Sequence, residues 1–351
     1  MKIPVTRTYI YSMKYSFFAL LFLISLIISA QHQEKVDFIQ GKVDIKVDPI
    51  NENITGSVTY LMNVLQKADT VFLDAQNLNI IEVKLNNKKV KSTNNGKKIV
   101  IHKRLKANKT YSLSIIYSAH PRQTVYFLGW KDHLPGNEQV WTQGQGKYTS
   151  HWLPSFDDMT EKVEYDLDIS FDKKYEVIAN GTLIATKELD GLKKWSFNME
   201  NPMSSYLMAF AIGDYHKKEV ESNSGIPINL YFYPGDSAKV EPTYRHTTDI
   251  FNFLEKEIGV PYPWQNYKQV PVRDFLYAGM ENTGTTIFSD SYIIDSTAFK
   301  DSNYVNVNAH EMAHQWFGNL VTEVDGSSHW LHEGFATYYA LLALLSPFPK
   351  S

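Results

Sequence analysis

The chain has 351 residues, which is enough for two domains and a sizeable hydrophobic core. Its 35 basic and 38 acidic residues give a formal net charge of −3, which argues against nucleic acid as the main partner. Cysteine is absent, so disulfides, thiolate zinc ligands, a cysteine nucleophile and a lipid anchor on a lipobox cysteine are all excluded.

The first thirty residues have the pattern of a secretory signal peptide. Basic side chains come first, and residues 17–28 then form an apolar run. Ser29 and Ala30 offer small side chains for cleavage before Gln31. A single membrane anchor is the alternative, but this run is shorter than the roughly 20 apolar residues that span a bilayer. We therefore expect an exported protein, periplasmic or secreted, without stable membrane insertion.

The pattern of residues 31–234 predicts an all-β domain. Residues 111–115 and 165–171 alternate apolar and polar side chains with the period of two that half-buried strands show. An Asn-Asn-Gly segment at residues 94–96 stands between two β-prone segments and predicts a hairpin. No long helical periodicity interrupts this part of the sequence.

From residue 235 onward the sequence predicts mixed α and β structure, so the expected fold class is α+β. One predicted helix covers Thr247–Ile258, because apolar side chains recur there on one face. These side chains are Ile250, Phe251, Leu254 and Ile258. Gly259 and Pro261 follow directly and would end the helix.

His310, Glu311 and His314 form an H-E-x-x-H motif in a predicted helix over residues 305–317, before the stop signal of Gly318. In a helix, positions i and i+4 lie on one face about one turn apart, so both imidazoles reach the same metal ion. Glu311 lies between them, within reach of a water at the metal without being a ligand itself. The motif is short, and by itself it also fits two ordinary helical histidines.

A third candidate ligand, Glu333, follows His314 after 18 residues. A second predicted helix begins near Ser328, a good N-cap residue, and runs through Tyr338. Packed antiparallel against the first helix, it would bring Glu333 beside the two histidines. Two imidazoles and one carboxylate leave a fourth position open for water, which is typical of catalytic rather than structural zinc.

His329 and His332 are rival ligands in the same segment. His332 is next to Glu333 in sequence but points about 100° away around a helix with 3.6 residues per turn. Because catalytic zinc sites usually have three protein ligands, Glu333 is the favoured third ligand.

The zinc motif followed by a glutamate at this interval resembles the signature of the M1 family of zinc aminopeptidases, which belongs to the gluzincin clan. Residues 278–282, Ala-Gly-Met-Glu-Asn, resemble the family's G-x-M-E-N exopeptidase motif at a family-like distance before His310. Further similar segments lie at residues 142–145, 202–207 and 259–263. The resemblance therefore covers nearly everything after the predicted signal peptide.

The resemblance implies a domain organisation and a metal centre. An N-terminal β-saddle domain would cover residues 31–234, and a truncated thermolysin-like metallopeptidase domain would cover residues 235–351. His310, His314 and Glu333 would bind one zinc ion per chain. As the general base, Glu311 would take a proton from the attacking water and pass it to the leaving amine. The implied reaction is hydrolysis of the N-terminal peptide bond of peptides.

Peptides with a free N-terminus are the implied partners, and their α-ammonium presents three donors and a positive charge that carboxylates recognise well. The resemblance assigns this recognition to Glu281. Gln145 would complete the amine clamp at a position that is often Glu in the family. Gly279 and Met280 would line the substrate with their backbone, and Asn282 completes the substrate-binding motif.

Three local departures suggest a side branch of the family. Ala278 replaces the first Gly of the exopeptidase motif, and His332 stands where Asn is usual. Residues 323–328 lack the family's paired tryptophans.

A larger departure is that the sequence ends at Ser351, whereas the family continues with further helices and an oxyanion-binding tyrosine. We expect a truncated gene product, a fragment of a longer sequence or a split gene, with a missing C-terminal segment as a partner. The last predicted helix would then leave apolar side chains uncovered. These side chains are Leu341, Leu342, Leu344 and Leu345.

Three functions follow from these patterns. The leading hypothesis is a zinc aminopeptidase, and the alternative is a truncated, catalytically weak or inactive peptide-binding remnant of one. A thermolysin-type endopeptidase is the third, and Glu281 argues against it because an endopeptidase has no use for an amine clamp. The length of the chain favours the remnant for this polypeptide as it stands.

Overall fold

A computed structural model describes residues 35–346, apart from residues 133 and 135. The predicted signal peptide at residues 1–30 lies outside the described residues. Across the part of the chain that is described, every helix is too short or too polar to cross a bilayer.

Strands account for most of the regular structure, and they pair into four sheets over the described residues. In chain order the strands are β1 Val36–Asp48, β2 Asn53–Val64, β3 Ala68–Asp74, β4 Asn79–Leu85, β5 Lys88–Lys89, β6 Ser92–Asn94, β7 Lys98–Leu105, β8 Lys109–Ala119, β9 Val125–Leu128, β10 Gln139–Thr142, β11 Lys162–Asp172, β12 Glu176–Ala179, β13 Thr182–Leu189, β14 Leu192–Asn198, β15 Met203–Ser204, β16 Phe210–Gly213, β17 His216–Glu221, β18 Pro227–Phe232, β19 Tyr267–Val272, β20 Gly279–Met280 and β21 Thr285–Ser289.

The largest sheet has nine strands and forms the frame of the N-terminal part. Its order is β13-β14-β11-β1-β2-β8-β4-β5, with β15 also paired to β11. The two segments with period-two alternation lie inside β8 and β11, where buried and more exposed side chains alternate. Together with the helical C-terminal part, this confirms the α+β class.

The predicted hairpin at residues 94–96 lies in a three-stranded sheet of order β3-β7-β6. β6 and β7 pair antiparallel, with Asn94 opposite Ile99. Gly96 has a φ of +80°, a left-handed conformation that glycine adopts without steric cost. A four-stranded sheet of order β12-β16-β10-β9 completes the N-terminal part and leads the chain from β10 towards Gln145.

A five-stranded sheet of order β17-β18-β19-β21-β20 supports the site. Its middle strands β18, β19 and β21 run parallel, and every side chain of β19 is buried, as expected for a central parallel strand. The strands before and after residue 234 share this sheet through the pairing of β18 with β19. Sheet pairing therefore groups residues 216–232 with strands that follow the predicted boundary.

Four α-helices follow β18 in the described residues: α1 Val240–Tyr244, α2 Thr247–Ile258, α3 Val305–Ala313 and α4 Trp330–Leu345. The bounds of α2 match the predicted helix, and Ile250, Phe251 and Leu254 are buried. Gly259 ends α2 with a φ of +71°, the usual left-handed C-cap conformation. Short 3₁₀ helices cover Thr149–His151, Ser205–Leu207, Pro234–Lys239, Asp290–Tyr292, Ala298–Lys300 and Gly326–Ser328.

Both helices that carry the metal motif differ from their predicted bounds. α3 ends at Ala313 rather than at residue 317, with His314 as its C-cap. α4 begins at Trp330 and not near Ser328, because residues 326–328 form a 3₁₀ turn capped by Asp325. α4 continues to Leu345 and so contains the four leucines that were expected on this helix.

The face that α4 buries is built of small side chains. Ala336, Ala340 and Ala343 are each no more than 2% exposed, which lets the helix pack closely against its neighbours α2 and α3. The opposite face carries large apolar side chains. Leu341, Leu344 and Leu345 are exposed as predicted from the sequence, whereas Leu342 is partly buried.

Candidate metal centre and amine site

α3 and α4 bring the three predicted metal ligands together. The Nε2 atoms of His310 and His314 are 3.0 Å apart. Oε2 of Glu333 lies 3.2 Å from His310 Nε2 and 3.6 Å from His314 Nε2. Ligand atoms about 2.0–2.1 Å from zinc in a tetrahedron stand roughly 3.3 Å from one another, so the three donors fit this ion.

The outward ring nitrogen of each histidine has a partner that orients the ring. His314 Nδ1 lies 2.9 Å from the carbonyl oxygen of Phe317, which leaves Nε2 free for a metal. His310 Nδ1 lies 3.5 Å from the hydroxyl of Thr337 on α4. Gly318, with a φ of +126°, turns the chain back so that the Phe317 carbonyl reaches the ring.

The histidines and Glu333 also influence each other's protonation. Hydrogen bonds from His310 and His314 lower the pKa of Glu333 far below its usual range, although partial burial opposes this. Burial lowers the pKa of His314, but the carboxylates around it, with Glu281 first, outweigh this and raise it to about 9. A metal that binds here would displace the proton from His314, because metals bind the neutral imidazole.

Glu311 projects from α3 into the same space. Its carboxyl group is buried, and burial raises its pKa to about 8, with the carboxylates of Glu281 and Glu333 adding to the effect and His314 opposing it. A divalent cation on the three ligands favours the ionised form and lowers this pKa again. Glu311 is therefore a candidate general base.

Most of the predicted site residues line one cavity of about 320 Å³. Its lining includes the three ligands and the other predicted residues Gln145, Gly279, Glu281 and Glu311. Gln145 comes from the N-terminal part of the chain, while Gly279 lies in β20 at the edge of the five-stranded sheet. Residues that are distant in sequence therefore surround one space.

The side chains of two predicted substrate residues are buried outside this cavity. Met280 is buried with Tyr206 and Leu207, and its sulfur accepts a hydrogen bond from the side chain of Gln143. Asn282 is fully buried, and its Nδ2 donates to the carbonyl oxygen of Leu207. Neither residue lines the cavity, so their side chains hold the motif in place.

Several residues at the site were not predicted from the sequence. Tyr277, Asn306 and Val307 also line the cavity but belong to no recognised motif. Glu323 belongs to the atypical segment of residues 323–328, and its buried carboxylate contacts ring nitrogens of both His329 and His332. The sequence does contain a signal for this contact, because the candidate ligands His329 and His332 follow Glu323 closely in the chain.

Two family models match the chain. The Peptidase M1 N-terminal domain matches residues 32–207, and the Peptidase family M1 domain matches residues 243–350. These ranges include most of the β-rich part and all of the candidate metal ligands.

Several aminopeptidases are similar to this chain. Leucyl aminopeptidase of Saccharolobus solfataricus is 28% identical over 286 residues, which are 80% of this chain and 36% of that protein. Aminopeptidase 2 of Candida albicans is 28% identical over 87% of this chain and 35% of its own length. Glutamyl aminopeptidase of Bos taurus is 29% identical over 55% of this chain and 21% of its own length. The chain thus spans about a third or less of these relatives. Because the N-terminal family model alone matches half of the sequence, the chain belongs to peptidase family M1.

Proposed function

We propose that this chain carries the metal and amine sites of a zinc-dependent aminopeptidase that hydrolyses the N-terminal peptide bond of peptides. The observation that carries the proposal is Oε1 of Glu281, which is buried and has no hydrogen-bond partner among the described residues. A buried carboxylate oxygen is costly unless a ligand supplies a donor or a positive charge. A peptide α-ammonium supplies both, in the same cavity as Glu311 and the metal ligands.

Each side chain has a distinct part in this proposal. When bound on His310, His314 and Glu333, zinc supplies Lewis-acid activation of the scissile carbonyl and of water. Glu311 takes a proton from the attacking water as the water oxygen bonds to the carbonyl carbon. Glu311 then delivers that proton to the amine nitrogen as the carbon–nitrogen bond breaks. With the substrate amine held at Glu281, only the first peptide bond reaches this position.

The edge strand β20 supports binding of an extended peptide. β20 pairs with β21 on one side and ends the five-stranded sheet within the described residues. An exposed sheet edge offers backbone donors and acceptors to an added strand. Gly279 in β20 also lines the cavity, so a peptide along this edge passes Glu281 and Glu311.

The test is the release of 4-nitroaniline from aminoacyl anilides and from their N-acetylated forms by the purified, zinc-loaded chain. We expect hydrolysis of free-amine substrates only, and Glu281→Gln is expected to lower kcat/KM on them. Glu257→Gln, at an exposed position in α2, is the matched control and should behave as wild type. Equal hydrolysis of acetylated substrates would refute the amine site and indicate an endopeptidase.

A folded chain that keeps zinc but hydrolyses no substrate would support the alternative, a peptide-binding remnant. Isothermal titration calorimetry then tests the amine site directly. Peptides with a free N-terminus should bind the wild-type chain more tightly than acetylated ones, and Glu281→Gln should remove that preference.

We also propose export through the N-terminal signal at residues 1–30. N-terminal sequencing of the protein recovered from the periplasm or medium of an expressing bacterium should start at Gln31. Recovery of the uncleaved chain from the cytoplasm alone would refute export.

A further inference from the structure

We propose a second divalent metal site beside the first, formed by Nε2 of His329, Nε2 of His332 and Oε1 of Glu333. Glu333 would bridge the two ions, because its other oxygen, Oε2, faces His310 and His314. The second site adds to the proposed aminopeptidase centre and depends on it only through the shared Glu333.

The donor spacing around the two oxygens of Glu333 is nearly the same. Oε1 lies 3.3 Å from His329 Nε2 and 3.7 Å from His332 Nε2. The matching distances from Oε2 to the first pair of histidines are 3.2 and 3.6 Å. Each of these carboxylate–imidazole separations suits two ligand atoms about 2.0–2.1 Å from one tetrahedral divalent ion.

The two histidine pairs also have similar ring geometry. The rings of His310 and His314 have centroids 4.6 Å apart and planes inclined by 83°. The rings of His329 and His332 have centroids 4.3 Å apart and planes inclined by 73°. In the second pair, both Nε2 atoms lie within 3.7 Å of Glu333 Oε1.

The carboxylate of Glu323 contacts the Nδ1 side of both imidazoles in the second pair. One of its oxygens lies 3.0 Å from His329 Nδ1, and the other contacts His332 Nδ1. Burial raises the pKa of Glu323, but hydrogen bonds from His332 and His329 outweigh it, so the pKa is lowered. A carboxylate on Nδ1 fixes the tautomer with a lone pair on Nε2, the usual arrangement for metal-binding histidines.

His332 Nε2 is the atom that most requires a ligand. The side chain is only 3% exposed, and this nitrogen has no hydrogen-bond partner among the described residues. It is too far from Glu333 for a hydrogen bond at 3.7 Å, yet well placed to share a metal with it. Buried polar atoms without partners are rare, and an ion on this nitrogen satisfies it.

Charge and available donors agree with a second cation. Four glutamates surround the two sites, namely Glu281, Glu311, Glu323 and Glu333. One divalent ion offsets only two of these carboxylates, and a second ion offsets the rest. The Gln145 amide lies 3.2 Å from His329 Nε2 and, turned by 180°, presents its oxygen as a further donor. Imidazole and carboxylate donors suit zinc or a similar first-row divalent ion.

The test is metal stoichiometry, measured by plasma mass spectrometry after the stripped full chain is dialysed to equilibrium against Zn²⁺. We expect two zinc ions per wild-type chain and one in His332→Asn. Asparagine is the residue that is usual at this position in the family. His329→Asn, at a partly exposed position, should also bind one ion. His216→Asn, an exposed histidine in β17, is the matched control and should keep two.

Glu323→Gln separates the two sites by affinity. We expect zinc binding at the second site to weaken by about 10–100-fold, as for loss of a carboxylate behind a ligating histidine, while the first ion stays bound. Circular dichroism spectra that match wild type show that each variant is folded.

The outcomes separate this inference from the proposed function. One zinc ion in wild type, lost in His310→Asn and unchanged in His332→Asn, would overturn the second site and leave the aminopeptidase centre intact. Loss of both ions in the folded His332→Asn chain would also overturn it, because the histidine would then only position Glu333. Failure of the folded wild-type chain to bind any zinc would refute both centres.

Discussion

Gly279 packs directly against the carboxyl group of Glu311. A Cβ atom added at Gly279 would meet Oε1, Cδ and Cγ of that side chain at 2.5–2.6 Å, closer than nonbonded carbon and oxygen atoms approach. The absence of a side chain at Gly279 in β20 therefore leaves room for Glu311, the proposed general base.

Gly279→Ala should displace the Glu311 carboxylate and lower kcat/KM on an aminoacyl anilide by about 100-fold, the scale expected for a catalytic group misplaced by about 1 Å. Gly235→Ala is the control, because a Cβ there meets nothing within 4 Å. The contact would be unimportant for catalysis if both variants kept wild-type kinetics.

Glu311→Gln should lower kcat by about 10²–10⁴-fold, since the amide cannot accept and return the proton. Zinc content should stay at the wild-type value, because Glu311 is not among the grouped metal ligands His310, His314 and Glu333. Steady-state kinetics and plasma mass spectrometry on the same preparation check both statements. Loss of zinc together with activity would assign Glu311 to the ligand set instead.

Removal of the metal should lower the thermal stability of the chain. A site that binds only the folded state adds about 4 kcal/mol to the free energy of unfolding when free zinc is 1,000 times its Kd. Thermal melts followed by circular dichroism, with and without dipicolinate, should show a lower Tm in the chelator. The shift should shrink in His310→Asn, and an unchanged shift in that variant would contradict zinc binding at this histidine.

Because of Lys268, the free energy of unfolding should change with pH in the alkaline range. Burial in β19 lowers its pKa to about 7, although Nζ donates to the carbonyl oxygen of Gly181 and to Asn266 Oδ1. Between pH 7 and the ordinary lysine pKa of about 10.4, the unfolded chain binds a proton that the folded chain lacks. The free energy of unfolding therefore rises with pH through this window, by at most about 1.4 kcal/mol per pH unit from this group.

Urea unfolding at several pH values from 7 to 10 checks this dependence. Lys268→Met should remove the rise, and Lys187→Met, at an exposed position in β13, should preserve it. Equal slopes in the wild-type chain and Lys268→Met would show that the buried amine does not control this part of the profile.

Local sequence patterns predicted the individual elements well. The alternation in β8 and β11, the hairpin at residues 94–96 and the full length of α2 follow from side-chain periodicity and turn residues. The end of α3 could not be predicted in this way. His314 leaves the helix because its ring bonds to the Phe317 carbonyl, and that contact depends on the turn at Gly318.

Helix periodicity by itself determined that His310 and His314 lie on one face, whereas the position of Glu333 beside them depended on how α4 packs against α3. Only the tertiary structure decided that Gly279 presses on Glu311 and that Glu281 keeps a buried oxygen without a donor. It also decided that Glu323 holds His329 and His332 behind Glu333. Such contacts join β20, α3 and α4, and their distances are set by how these elements pack, which no local pattern encodes.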